Sequence, residues 1–153
     1  MAERPLLVHQ TGDKNYDAVA AAYRALGLEP GRDVTLLPFV DDMATRLAEC
    51  DLIVCRAGAI TVSELCAAGV ASVLVPLVVS TTSHQRDNAE WMAAAGAAVH
   101  LPQQEFCAES LAALLAGTRR DELLAMAEKA RALGRSGAAD KVAGLCQALA
   151  DQD

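Results

Sequence analysis

The chain has 153 residues, a common single-domain length able to bury a real core, and it is 53% hydrophobic but only 3% aromatic. Ala, Leu and Val must therefore fill the interior, which suits helices packed on a parallel sheet. The formal net charge of −7 argues against nonspecific nucleic-acid binding, and no nucleic-acid partner is expected.

Taken in order, Pro5–His9 reads as a strand with proline tolerated at its start. Gln10–Asp13 is a turn. A helix follows from Lys14 to Leu26, with Val19, Tyr23 and Leu26 on one face and Gly27 placed to end it. Val34–Pro38 is a second strand. Phe39–Met43 leads into a helix to Glu49, with Asp41 or Asp42 as its cap rather than as an acid–base pair. Leu52–Cys55 is a third strand, Arg56–Ala59 a turn, and Thr61–Ala68 a helix. Ala71–Pro76 is a fourth strand, followed by a loop from Leu77 to Ser83, a helix from His84 to Ala95 ended by Gly96, and a short fifth strand, Ala97–Leu101. Only helices follow: Cys107–Leu115, Arg119–Leu133 and Ala138–Ala150, the last with Val142, Leu145, Cys146 and Leu149 on one face.

This alternation implies an α/β fold: a Rossmann-like, mostly parallel sheet with helices on both faces and right-handed crossovers. No repeat or linker interrupts residues 1–153, so a single domain is expected, with its final helices over about residues 105–150. The five cysteines (50, 55, 66, 107 and 146) show no CxxC spacing and no Cys/His cluster. They read as small core fillers in a reduced, cytoplasmic protein rather than as a disulfide framework or a zinc site. The N-terminal Met-Ala-Glu-Arg-Pro has no apolar segment of a signal peptide, and the longest apolar stretch, Val70–Val79, is too short to span a bilayer.

The stretch Asp51–Glu64 is the candidate site. A strand ends, Gly58 allows close approach of the backbone, and a helix N-terminus points to the same place, which in an open parallel sheet is where ligands sit. Helix amides and the macrodipole favour a phosphate there, Arg56 adds a forked cation, and Glu64 adds a carboxylate. The spacing Thr61-x-x-Glu64 is equally that of a capping box, in which Glu64 folds back on the Thr61 amide, and Gly58 is then an ordinary turn glycine. The spacing alone leaves both readings open.

Four ordered motifs go further: His9-Gln10-Thr11-Gly12, Phe39-Val40-Asp41-Asp42-Met43, Cys55 through Glu64, and His84-Gln85-x-x-Asn88-Ala89. Their order and spacing resemble the C-terminal, donor-binding half of the MurG family, bacterial glycosyltransferases of family 28 with the two-domain GT-B fold. The resemblance covers nearly the whole chain, from Leu6 into the final helices. It implies an inverting transferase that moves N-acetylglucosamine from UDP-N-acetylglucosamine to the lipid-linked muramoyl-pentapeptide precursor of peptidoglycan. Carried over residue by residue, it puts Glu64 on the ribose, Arg56 beside the nucleotide and diphosphate, and the backbone of Val40 against uracil. The loop amides of Gly58, Ala59 and Ile60 fall near the sugar and phosphates, and Gln85 on the sugar hydroxyls, with Asn88 one turn later. His84 stands where some members have another glutamine and also reads as an exposed helix-start residue. Asn88 also reads as a residue that only bonds the preceding loop. His9 reads as a strand-end residue rather than a base. No catalytic residue, metal site or cofactor is identified.

The resemblance also implies what is missing. The acceptor-binding N-terminal domain and the first strand–loop–helix of the C-terminal domain, with its Gly-Gly-Ser-x-Gly stretch, have no counterpart in the sequence. The lipid-linked acceptor is then expected to engage through that absent domain or through a partner chain, at the cytoplasmic face of the inner membrane. The isolated chain is then expected to be inactive, the alternatives being a donor-binding subunit that needs a separate acceptor-domain chain or a truncated, inactive fragment. The edges at Leu6–His9 and Leu52–Cys55 are expected either to pair directly or to capture a strand from another copy.

Overall fold

The computed structural model describes residues 5–77 and 83–151. Residues 1–4, and residues 78–82 of the expected loop from Leu77 to Ser83, lie outside the described residues. The chain forms two compact units, one up to Met43 and one from Ala44.

In the first unit, β1 (Val8–Gln10) pairs in parallel with β2 (Thr35–Leu37), Val8 opposite Thr35 and Gln10 opposite Leu37. The apolar run suggests a strand at residues 5–9, but the ladder runs later. It begins where the Leu7 carbonyl accepts from Thr35 N–H and continues to Gly12 N–H, which donates to the Pro38 carbonyl at 3.0 Å. The partner strand offers acceptors that far, and backbone pairing rather than apolar composition sets the ends. Leu6, Leu7 and Val8 are left exposed. A 3-10 turn at Asp13–Asn15 leads into α1 (Tyr16–Ala25). Ala20, Val34, Leu36 and Val40 are buried in this unit. Leu26, expected on the buried face of α1, is instead its exposed C-cap residue.

The second unit holds α2 (Met43–Glu49), β3 (Ile53–Cys55), α3 (Ala59–Ala68), β4 (Ser72–Leu74), α4 (His84–Ala94), β5 (Val99–His100), α5 (Ala108–Gly117), α6 (Arg120–Leu133) and α7 (Ala138–Ala150). Its sheet has the order β3-β4-β5, parallel throughout. The central strand β4 is buried on both faces, as a continuous apolar run in a parallel sheet should be. Its side chains alternate between two cores. Leu74 joins Leu65, Cys66, Ala89, Met92 and Ala130 from α3, α4 and α6, while Val73 and Val75 join Leu101 and, from α5, Leu114. Helices thus cover both faces of this sheet. The described strands form two separate sheets.

Helix α6 fastens the back of the unit. Gly69, in the left-handed conformation (φ 69°) that ends α3, lies so close to α6 that a Cβ there would meet the Cβ of Arg131 at 2.9 Å. The Arg131 guanidinium donates to the Ala67 carbonyl, placing a cation at the negative end of α3. The expectation that all five cysteines fill the core holds for Cys66, which is buried, and for Cys50 and Cys55, which pack beside it. Cys107 and Cys146 are exposed. Cys107 is the N-cap of α5, its sulfur accepting from Ser110 N–H at 3.4 Å.

Candidate functional site

The site is an open rim at the C-terminal ends of β3, β4 and β5. After Cys55 the chain turns through Arg56–Gly58, and α3 begins at Ala59, two residues earlier than the sequence suggests. Gly58 is extended (φ −62°, ψ 150°), and its carbonyl accepts the first helical bond, from Val62 N–H at 2.9 Å. Thr61 is therefore the third helical residue and Glu64 the sixth, so the two do not form a capping box. Glu64 is exposed and makes no hydrogen bond or ion pair among the described residues.

No side chain caps the start of α3, which leaves the amides of its first turn without a protein acceptor from a cap. Gly58 is a favourable N-cap residue, but neither its backbone conformation nor its packing demands glycine. Its φ is one that any residue adopts, and a Cβ there would meet nothing nearer than Thr61 Oγ1 at 3.7 Å, an ordinary contact.

Three side chains tie the rim together. Arg56, exposed, donates through Nη1 to the Val75 carbonyl at 3.1 Å and to Gln103 Oε1 at 2.8 Å, spanning the chain ends beyond β4 and β5. Asn88, in the second turn of α4, donates through Nδ2 to the Ala57 carbonyl at 2.9 Å. It therefore holds the turn between β3 and α3, not the loop before α4 that the sequence suggested as its partner. Gln85 accepts from Leu77 N–H through Oε1 at 2.9 Å, which leaves its amide group to donate. His84, the first residue of α4, is exposed. Beneath the rim, burial, and secondarily the nearby Cys50, pushes the Cys55 thiol up to about 11.

Val40 belongs to the first unit. It is buried, and its N–H donates to Gln10 Oε1 at 3.2 Å. His9 uses Nδ1 against the Tyr23 hydroxyl at 3.0 Å, tying β1 to α1, in keeping with a strand-end rather than a base role. Two residues were given no role by the sequence reading: Gln10, which holds the Val40 backbone, and Gln103, which holds Arg56. Gln103 follows the fifth strand, and in an open parallel sheet that position is itself a signal, because ligands gather beyond the strands' carboxyl ends.

Two concavities in the second unit lie away from these residues. One, of about 600 Å³, includes Asp51, Arg120 and Leu124; the other, of about 670 Å³, includes Trp91, Arg131 and Arg135. Neither is lined by Arg56, Gly58–Ile60, Glu64, His84, Gln85 or Asn88.

Comparison with known proteins gives the family. The description of the glycosyltransferase family 28 C-terminal domain matches residues 2–143. A UDP-N-acetylglucosamine–N-acetylmuramyl-(pentapeptide) pyrophosphoryl-undecaprenol N-acetylglucosamine transferase of Chromobacterium violaceum is 72% identical over 98% of this chain and 41% of its own length. The transferase of the same name from Methylibium petroleiphilum is 60% identical over 99% of this chain and 41% of its own length. The crystal structure of Acinetobacter baumannii MurG superposes with a TM-score of 0.86 at 38% identity, covering 96% of this chain and 42% of that one. The chain thus spans about two fifths of the length of these relatives. With the family's domain matched over residues 2–143 of this chain, the chain belongs to the glycosyltransferase family 28 C-terminal domain family.

Proposed function

We propose that the chain is the UDP-N-acetylglucosamine-binding half of an inverting N-acetylglucosaminyltransferase that acts on the lipid-linked muramoyl-pentapeptide precursor of peptidoglycan. The observation that carries this reading is the start of α3: an uncapped helix end behind a glycine that neither its own backbone conformation nor internal packing requires. Such an end suits a diphosphate, whose oxygens accept from the helix amides and can approach the backbone where no Cβ intrudes.

In this reading the amides of Gly58, Ala59 and Ile60 and the Arg56 guanidinium take the diphosphate. Glu64 accepts from the ribose hydroxyls, and Gln85, with His84 beside it, takes sugar hydroxyls. Asn88 contributes by fixing Ala57. The acceptor hydroxyl attacks the anomeric carbon, the bond to the diphosphate oxygen breaks, and UDP leaves. Negative charge grows on the departing diphosphate, and preorganised donors aimed at it lower the barrier more than they tighten ground-state binding. The acceptor and the base for its hydroxyl come from a complementing half, in the same polypeptide or in a partner chain. Among the described residues no helix is long and apolar enough to cross a membrane. The proposed location is the cytoplasm, with contact to the inner membrane made through that complementing half.

Titration of the isotopically labelled chain with UDP-GlcNAc and UDP tests the site. Shifts should concentrate at Arg56, Gly58–Ile60, Glu64 and Gln85; a footprint elsewhere, with these residues silent, overturns the assignment. Incubated alone with lipid-linked acceptor and radiolabelled UDP-GlcNAc, the 153-residue chain should transfer little or no sugar, because transfer needs both substrates in reacting geometry. Robust turnover by the chain alone would remove the need for a complementing half.

A further inference from the structure

We propose that Gln103 is a positioning residue for the donor diphosphate: it locks Nη1 of Arg56, so that the opposite edge of the guanidinium, Nε and Nη2, is the one presented to phosphate oxygens. The inference rests on the donor-site reading above and adds to it a residue that lies outside the recognised motifs.

The argument starts from the donor inventory of arginine. Nη1 carries two N–H groups, and both have acceptors here, the Val75 carbonyl at 3.1 Å and Gln103 Oε1 at 2.8 Å. Nε and Nη2 have no partner among the described residues. They form the side-on edge of the guanidinium, two parallel N–H groups whose spacing matches two oxygens of one phosphate. A single bond to the Val75 carbonyl would let the exposed guanidinium pivot about that contact. The second bond, from the turn after β5, fixes its plane. Val75 is 4% exposed and immobilised in the core, so one anchor is rigid backbone and the other is the side chain of Gln103.

The chemistry of the second anchor also matters. A glutamine oxygen orients the guanidinium without cancelling its charge, whereas a carboxylate at the same place would orient it and neutralise it. No carboxylate pairs with Arg56 among the described residues. The arrangement therefore keeps the full positive charge available to a dianionic ligand while removing the rotational freedom that binding would otherwise have to remove.

Nitrogen-15 NMR of the arginine side chains in the full chain, with UDP as the probe ligand, tests this. Arg56 signals are assigned by their loss in Arg56→Lys. In the wild type the Nη1 and Nη2 signals should be separate, because rotation is hindered; in Gln103→Ala they should merge. Calorimetric titration should show UDP binding weakened by about threefold to tenfold in Gln103→Ala, the range expected for one hydrogen bond. In an Arg56→Met background the same change should cause no comparable further loss. Gln103→Glu should keep the signals separate and still weaken UDP binding, since it restores the anchor but cancels the charge. Unchanged Arg56 signals in Gln103→Ala, or an equal loss in the Arg56→Met background, overturns the positioning role while leaving the donor site intact. Failure of the wild-type chain to bind UDP overturns the donor-site reading itself, and the diphosphate role of Gln103 with it.

Discussion

The two ends of α3 are built on opposite principles. At the C-terminal end everything is closed: Gly69 turns the chain in the left-handed conformation, Arg131 donates to the Ala67 carbonyl, and the Gly134 backbone lies so near Cys66 that a Cβ would come within 2.9 Å of its carbonyl oxygen. At the N-terminal end nothing inside the chain closes the helix. Gly58 has ordinary φ and free space, no side chain caps the amides, and Glu64 stands exposed. A helix with both ends unsatisfied would be costly, since each end leaves orphan backbone groups. Concentrating tight packing and charge complementarity at one end offsets the open state of the other, where a ligand can complete the bonding. Rigidity sits behind the site and accessibility in front of it.

The contrast breaks most severely at the closed end. Gly69→Ala forces a left-handed alanine and drives its Cβ against Arg131. The expected loss is about 2–4 kcal/mol of unfolding free energy, read from urea denaturation. A loss within experimental scatter would mean that α6 gives way easily and that the closed end is not tight.

Glu64→Ala should do the reverse. Because Glu64 caps nothing, stability should stay within about 0.5 kcal/mol of wild type. UDP-GlcNAc binding should weaken by about 1.5–3 kcal/mol, as for a lost hydrogen bond to a charged group. A lowered melting temperature with unchanged affinity would assign Glu64 a structural role after all.

Gly58→Ala is a finer probe of the open end. Alanine is a poorer N-cap than glycine, so the fold should lose less than about 1 kcal/mol, yet UDP affinity should fall because a methyl group intrudes where phosphate approaches. Parallel melting and titration curves separate the two effects, and unchanged affinity would show that glycine is dispensable there.

The smallest effect at neutral pH concerns Cys55, at the end of β3. Burial raises its thiol from the ordinary 9.0 to about 11 in the folded chain. A folded value above the unfolded one contributes stability that is fully present below pH 9 and is lost as pH rises towards about 11. Wild-type stability should therefore fall more steeply than that of Cys55→Ala between those limits. Parallel slopes would mean that the thiol is not shielded.

Much of this molecule is written in local patterns. The alternation of apolar runs with 3.6-period segments determined an α/β fold with parallel pairing, and the run Ala71–Pro76 identified the fourth strand, whose central, doubly buried place came from the structure. The ordered motifs determined the family and the strand–turn–helix that carries the candidate site. These features are legible because period and turn chemistry act over a few residues.

Other features needed the tertiary structure. Local spacing placed the start of α3 at Thr61 and left a capping box open; the extended Gly58 carbonyl, bonded to Val62, moved the start to Ala59, where Glu64 caps nothing. The sequence read Asn88 as a ligand-side residue or as one bonding the loop before α4; the structure gives it another partner, the Ala57 carbonyl 31 positions away. Gln103 lies 47 positions from Arg56, a pairing that no local pattern encodes. Side-chain partners at such distances depend on which strand ends lie side by side, and sheet packing alone decides that.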